Sequence, residues 1–243
     1  MAYVPPAIDG QRQPAPVSRA ELLVRAEALE GASVGDIASA IGAAIPEGRR
    51  STKGFIGQLL EKALGADSDA LDAPDFPALG VELKSIPVAD DRELRPVEST
   101  FLAAISMAYA DRAEWDTSRL RHKLQTVLWI PVEGSWRGEL SKRRIRAPRL
   151  WIPSEEEFAA LKADWMDLMG AIGAGQASQL TGRDGLYIQV RPKAAHSGVR
   201  VMTPSAHSVD MQHPLGFYMR ANATRGILQA GSMLVSGDNK ESQ

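Results

Sequence analysis

Between Phe55 and Val88 the spacing of apolar residues switches from a helical period to an alternating one, and this limits the fold more than any other feature of the chain. Phe55, Ile56, Leu59, Leu60, Ala63 and Leu64 recur at the spacing that lines one face of a helix, and Gly65 stands where that helix would end. After an acidic, turn-rich connection from Asp67 to Pro77, the segment Val81 to Val88 reads as a strand that Pro87 limits. The same exchange of periods continues along the chain. Ser18 with Glu21 has the form of a capping box opening a helix to about Leu29, and Ser33 to Ile41 forms a second, short helix. Ser154 with Glu157 opens a long helix through Ile172. Further strands are predicted at 96–105, 126–132, 150–152, 186–190 and 215–219, with a helix at 223–234. Helices alternating with strands indicate a mixed α/β fold.

At 243 residues, 44% hydrophobic and 24% charged, the chain can bury a substantial core as one large domain or two small ones. It contains no cysteine, which excludes disulfides, thiolate metal sites and cysteine nucleophiles, and a cytoplasmic protein fits best. No stretch approaches the roughly 18 apolar residues of a membrane span. The Pro-rich start, Met1 to Pro16, lacks the apolar centre of a signal sequence and reads as a disordered tail, and residues 236–243 read the same way. The net charge is -2, yet cations cluster at Arg137 to Arg149 and at Arg191 to Arg200. Such runs are commonly solvated faces and do not by themselves decide for nucleic acid. His196, His207 and His213 are scattered without ligand spacing and read as loop residues.

Chemistry enters on the strand at Val81. Side chains two apart on a strand share a face, so Glu82 and Lys84 project together while Val81 and Leu83 point into the core. With Asp75 arriving from the preceding loop, two carboxylates can hold a hard cation such as Mg2+, and the backbone carbonyl of Leu83 can add a third oxygen. Lys84 can then position a water and stabilise charge growing on phosphate oxygens. Acid, gap, acid-x-Lys is a loose pattern that a surface ion pair also satisfies. Its context here strengthens it, because the preceding helix offers Glu61 beside Gly54 and Gly57, where small residues would let another element approach.

Longer stretches are more specific. Lys53-Gly-Phe-Ile-Gly-Gln-Leu-Leu-Glu61 and Asp75-Phe-Pro-Ala-Leu-Gly-Val-Glu-Leu-Lys84 are followed by Arg121-His-Lys-Leu, Leu128-Trp-Ile-Pro-Val-Glu-Gly134, Arg191-Pro-Lys193 and Gly216-Phe-Tyr218. In that order, over roughly residues 20 to 230, they resemble the MutH family of methyl-directed mismatch-repair endonucleases, within the restriction-endonuclease-like superfamily. The resemblance implies a mixed central sheet flanked by helices, in a single domain at 18–235 between tails at 1–17 and 236–243. Within that domain it implies a catalytic lobe at about 18–110, a DNA-reading lobe at about 111–235, and a DNA cleft between them. It implies catalytic roles for Lys53, Glu61, Asp75, Glu82 and Lys84. The implied Mg2+ ligands are Asp75, Glu82, the Leu83 carbonyl and Glu61 through a water. Arg191, Pro192, Lys193 and Tyr218 are implied to read DNA, with Tyr218 sensing the adenine methyl group. The implied reaction is nicking of the unmethylated strand at hemimethylated GATC, by a monomer that MutL activates after MutS finds a mismatch. The turn from Ala89 to Pro96 and the loop from Ala194 to Pro214 depart from the family pattern.

Two other readings stay open at this point. One is a GATC-specific restriction endonuclease that works outside repair. The other is a DNA-binding module without catalysis.

Overall fold

Side-chain caps start the helices where the sequence predicts them. In α1 (Arg19–Glu27) the Ser18 hydroxyl accepts from the Glu21 N–H, while the Glu21 carboxylate turns to the Val17 N–H instead of closing a box. Helices α2 (Val34–Ala40) and α5 (Glu155–Gly173) each carry a complete capping box, Ser33 with Asp36 and Ser154 with Glu157. Helix α3 (Phe55–Leu64) closes at Gly65, whose φ of 80° suits a residue without a Cβ. Any side chain there would also collide with the Pro14 carbonyl. That carbonyl accepts from Arg25 at 2.7 Å, so residues 13–17 of the expected tail are tied to α1 and α3.

The computed structural model describes residues 13–47, 54–67, 73–134, 138–193, 201–204, 209–212 and 214–230. Lys53, Arg137, Arg200 and the three histidines of the 194–214 loop lie outside the described residues, as do 1–12 and 231–243. Eight strands are described: β1 (Glu82–Val88), β2 (Thr100–Ala104), β3 (Val127–Glu133), β4 (Arg149–Trp151), β5 (Ile188–Pro192), β6 (Val201–Pro204), β7 (Val209–Gln212) and β8 (Leu215–Met219). A short helix α4 (Arg119–Lys123) precedes β3, and α6 (Ala221–Gln229) follows β8. Helix α4 and the β6–β7 hairpin are not among the predicted elements, and the strand expected at 96–105 narrows to β2.

The α/β expectation holds, with six of the eight described strands divided between two three-stranded sheets and β6 and β7 forming a separate antiparallel pair. The first has the order β1-β3-β4 and is mixed, β1 and β3 running parallel and β3 and β4 antiparallel. The second, β2-β8-β5, is antiparallel. A parallel pair needs a long crossover, and the β1-to-β3 crossover contains both β2 and α4. A division of the chain near residue 110 therefore does not follow the sheets: β3 and β4 return to the first sheet, and β2 leaves for the second.

Two cores lie on opposite faces of the first sheet. Leu83, Leu128, Ile130 and Val132 pack with α1, α2 and α3. Ile86, Val88, Val127 and Trp129 pack with α5 and the second sheet. By strand parity Glu82 and Lys84 lie on the face of Ile86 and Val88, toward the second sheet. Pro87 does not interrupt β1, because its backbone faces away from β3, where no N–H is needed for the ladder, and its carbonyl accepts from the Val97 N–H at 3.0 Å.

Candidate active site

Strand β1 is an edge of its sheet, and the site is built on that edge. The Glu82 N–H donates inward to the Thr126 carbonyl, so the next residue, Leu83, turns its N–H and carbonyl outward. Asp75 meets that edge: its carboxylate accepts from the Leu83 N–H at 2.7 Å. Burial, and then the nearby charge of Glu82, push the Asp75 carboxyl above its ordinary value; Lys84, the Leu83 N–H and Lys123 act in the opposite direction.

Glu82 is 2% exposed and shared between two ammonium groups. Lys84 donates to its Oε1 at 2.5 Å, and Lys123 donates to both carboxylate oxygens at 2.9 Å. Lys123 also reaches the Ala73 carbonyl at 3.3 Å, which ties α4 to the loop that carries Asp75. The structure thus brings Asp75, Glu82, Lys84 and Lys123 together.

Glu61 lies on α3, which packs on the other side of the first sheet. A Cβ placed on Gly57 would lie 3.9 Å from both Glu61 Oε1 and the Ser85 hydroxyl. Ser85 points to the opposite face of β1 from Glu82 and Lys84. Among the described residues no three His, Asp or Glu side chains form a metal-holding group. Gly57 leaves ordinary van der Waals room, and Gly54 sits at the N-cap of α3 with a φ of 85°. Close approach is therefore not what these glycines supply. Lys53 lies outside the described residues.

Lys123 was legible only in part. It falls in one of the stretches that carry the family resemblance, but no local pattern marks it as a site residue. Its signals are the N-cap Ser118 and the pair Leu120 and Leu124, which face the core and leave Lys123 on another side of α4.

A second group of predicted residues gathers on the second sheet. Residues directly opposite in an antiparallel ladder share a face. Phe101 faces Tyr218, Gln189 faces Tyr218, and Arg191 faces Gly216. The other face of these strands, with Ile188, Val190, Phe217 and Met219, is core. The Arg191 guanidinium donates to the Ser99 hydroxyl at 2.8 Å and lies 5.9 Å from the Tyr218 ring centre. The Lys193 ammonium lies 4.1 Å from the centre of the Phe101 ring, which meets Tyr218 edge to face at 5.4 Å. Gly216 permits this packing, since a Cβ would come within 2.8 Å of Phe101. Pro192 ends β5, and the Lys193 N–H then donates to the Pro214 carbonyl at 2.6 Å. Burial pushes the Tyr218 hydroxyl pKa upward despite Arg191, so it remains a hydrogen-bond donor at neutral pH.

The cations between Arg137 and Arg149 are largely engaged within the protein. Arg146 pairs with Glu133 at 2.7 Å, Lys142 pairs with Glu139, and Arg144 and Arg149 donate to the Gly31 and Leu228 carbonyls. Among the described residues no helix is long and apolar enough to cross a membrane.

Comparison with known proteins shows the family. A family model described as DNA mismatch repair enzyme MutH matches residues 64–164, a span holding Asp75, Glu82, Lys84 and Lys123. DNA mismatch repair protein MutH of Escherichia coli strain K12 is 42% identical over 214 residues, covering 88% of this chain and 93% of that protein. The proteins of the same name from the O9:H4 strain HS and from the O127:H6 strain match with the same identity and coverage.

Proposed function

The chain belongs to the MutH family of DNA mismatch repair enzymes, and from that premise we propose that it is the methyl-directed endonuclease of mismatch repair, nicking the unmethylated strand at hemimethylated GATC with Mg2+. The observation that carries the proposal is the shared Glu82 carboxylate, buried on an edge strand between Lys84 and Lys123 with Asp75 beside it. A buried carboxylate with two ammoniums serves stability poorly, because desolvation consumes most of what the pairing supplies. Such a group is better explained by chemistry.

The donor set suits a hard cation. Asp75 and Glu82 supply carboxylate oxygens, and the outward Leu83 carbonyl lies on the same strand edge, which together match the ligand preference of Mg2+. When bound, the metal would polarise the scissile phosphate and make a coordinated water more acidic. The chain's own residues do the rest. Lys84 holds its ammonium beside Glu82, where it can orient a water and stabilise negative charge on the phosphate oxygens. Lys123 fixes the Glu82 carboxylate through both oxygens and ties it to the Asp75 loop. The family resemblance implies further roles for Glu61, through a water, and for Lys53.

The Phe101, Arg191, Lys193 and Tyr218 face reads the DNA in this proposal. Arg191 presents the planar fork that bonds a guanine edge, and Tyr218 presents an aromatic face and a protonated hydroxyl to an adenine edge or its methyl group. One acid site per chain suits a nick by a monomer. The partners are double-stranded DNA and MutL, with MutS acting through MutL, and the setting is the cytoplasm. The test is nicking of unmethylated, hemimethylated and fully methylated GATC duplexes with and without MutL. Strand-selective nicking that MutL stimulates is expected, and unaided cutting of both strands would instead favour a restriction endonuclease.

A further inference from the structure

The proposed reaction leaves one buried acid unused. Asp164 is 7% exposed in α5, on the stripe with Leu161, Trp165 and Leu168 that the helix turns into the core. A carboxylate there needs hydrogen-bond donors in place of water. It finds three consecutive backbone N–H groups: Leu186 at 2.7 Å on Oδ1, with Tyr187 at 2.7 Å and Ile188 at 2.9 Å on Oδ2. Successive N–H groups converging on one point form an anion-binding nest, here filled by the protein's own side chain. Gly185 makes the turn possible, with a φ of 89° and a Cβ position that would collide with the Ile188 carbonyl.

The carbonyl side of the same turn is held by a cation. Arg220, the residue after β8, donates its Nη1 to the Arg183 carbonyl at 3.1 Å and to the Gly185 carbonyl. Its backbone N–H donates to the Tyr187 carbonyl at 2.8 Å. The turn is thus gripped from α5 by a carboxylate and from the β8–α6 junction by a guanidinium.

This turn is the entry to β5. Ile188 opposite Met219 is the first rung of the β5–β8 ladder, followed by Gln189 opposite Tyr218 and Arg191 opposite Gly216. Strand β5 is hydrogen-bonded to a neighbouring strand on one side only, so the ladder to β8 and the burial of Ile188 and Val190 are what hold its register from within the sheet. A slip of one residue would exchange Arg191 with its core-facing neighbours. We propose that Asp164 and Arg220 are positioning residues that lock the register of β5 against β8, and so aim Arg191 and Tyr218 at the DNA. The proposal rests on reading Arg191 and Tyr218 as DNA contacts.

The test uses Asp164→Asn, which puts an NH2 group where an acceptor oxygen faced N–H donors, and Arg220→Gln, at a half-buried position. Steady-state nicking is measured on a hemimethylated GATC duplex and on one with a single altered base pair. Both variants should raise KM for GATC about tenfold while kcat stays within about threefold, because binding geometry is lost and the chemistry on β1 is not. Preference for GATC over the altered duplex should fall with it, and Arg220→Lys, which retains a donor, should recover part of that preference. Folded variants with unchanged KM and preference, or with kcat reduced at constant KM, would overturn the positioning role. If Asp164→Asn does not fold, Arg220→Gln decides. A wild-type protein without GATC preference would overturn the DNA-reading assignment and the positioning role with it.

Discussion

Replacing Glu82 with Gln retains the side chain's shape and removes the charge that holds Lys84 and Lys123 together. In the wild type the Glu82 side chain is 2% exposed, and those of Lys84 and Lys123 are 18% and 12% exposed. The carboxylate takes Lys84 at 2.5 Å and Lys123 at 2.9 Å on each oxygen. In the variant two ammoniums face an amide that accepts through one oxygen and donates through its nitrogen. Removing one partner of a buried pair costs about 3–5 kcal/mol. Asp75 offsets part of this and both amines keep some access to water, which leaves about 2–4 kcal/mol. For a domain of this size that lowers Tm by roughly 4–16 °C. Urea denaturation at neutral pH measures it, with the slope checked so that a midpoint shift reports stability. The double variant Glu82→Gln/Lys123→Met removes one of the opposed charges and should recover about 1 kcal/mol or more, while neither variant nicks. A Glu82→Gln protein as stable as wild type, or a double variant no better than the single one, would refute this reasoning.

Asp75 should show the opposite trade. Its carboxyl is raised above 3.8 in the fold, so the folded chain holds the proton more tightly than the unfolded chain and the ionised form costs stability. Wild-type stability relative to Asp75→Asn should therefore fall as pH rises from 3.8 through the raised value, leaving the variant more stable at neutral pH and inactive. A stability gap that does not move with pH, or that favours wild type at neutral pH, contradicts the shift. Lys193→Ala should weaken DNA binding and reduce the salt slope by about 1, as one phosphate contact would; an unchanged slope would place Lys193 away from the backbone of the DNA.

Local rules carried much of the fold. Ser33, Ser154 and Gly65 mark helix ends because caps are set by neighbouring residues, and each stands where the sequence places it. The shared face of Glu82 and Lys84 follows from strand parity alone. What depends on distant partners was less legible. Lys123 is 41 residues from Glu82, at the end of a five-residue helix, and nothing in Arg121-His-Lys-Leu by itself says which acid it will meet. Glu61 comes from α3, which packs on the face of β1 opposite to Glu82 and Lys84, and that placement is set by the tertiary packing rather than by local spacing. Asp164 did leave a trace: an acid on an apolar stripe, three residues after Leu161 and four before Leu168, needs a buried partner. That its partner is the start of β5 is visible only once α5 and β5 are folded together.

The most direct test is strand-resolved mapping of cleavage on a duplex with a single hemimethylated GATC, each strand separately labelled, with Mg2+ and with Glu82→Gln as control. The account predicts one cut, in the unmethylated strand, leaving a 5′-phosphate and lost in the variant or on chelation of the metal. Cutting of both strands, cutting of the methylated strand, or undiminished cutting by Glu82→Gln would contradict it.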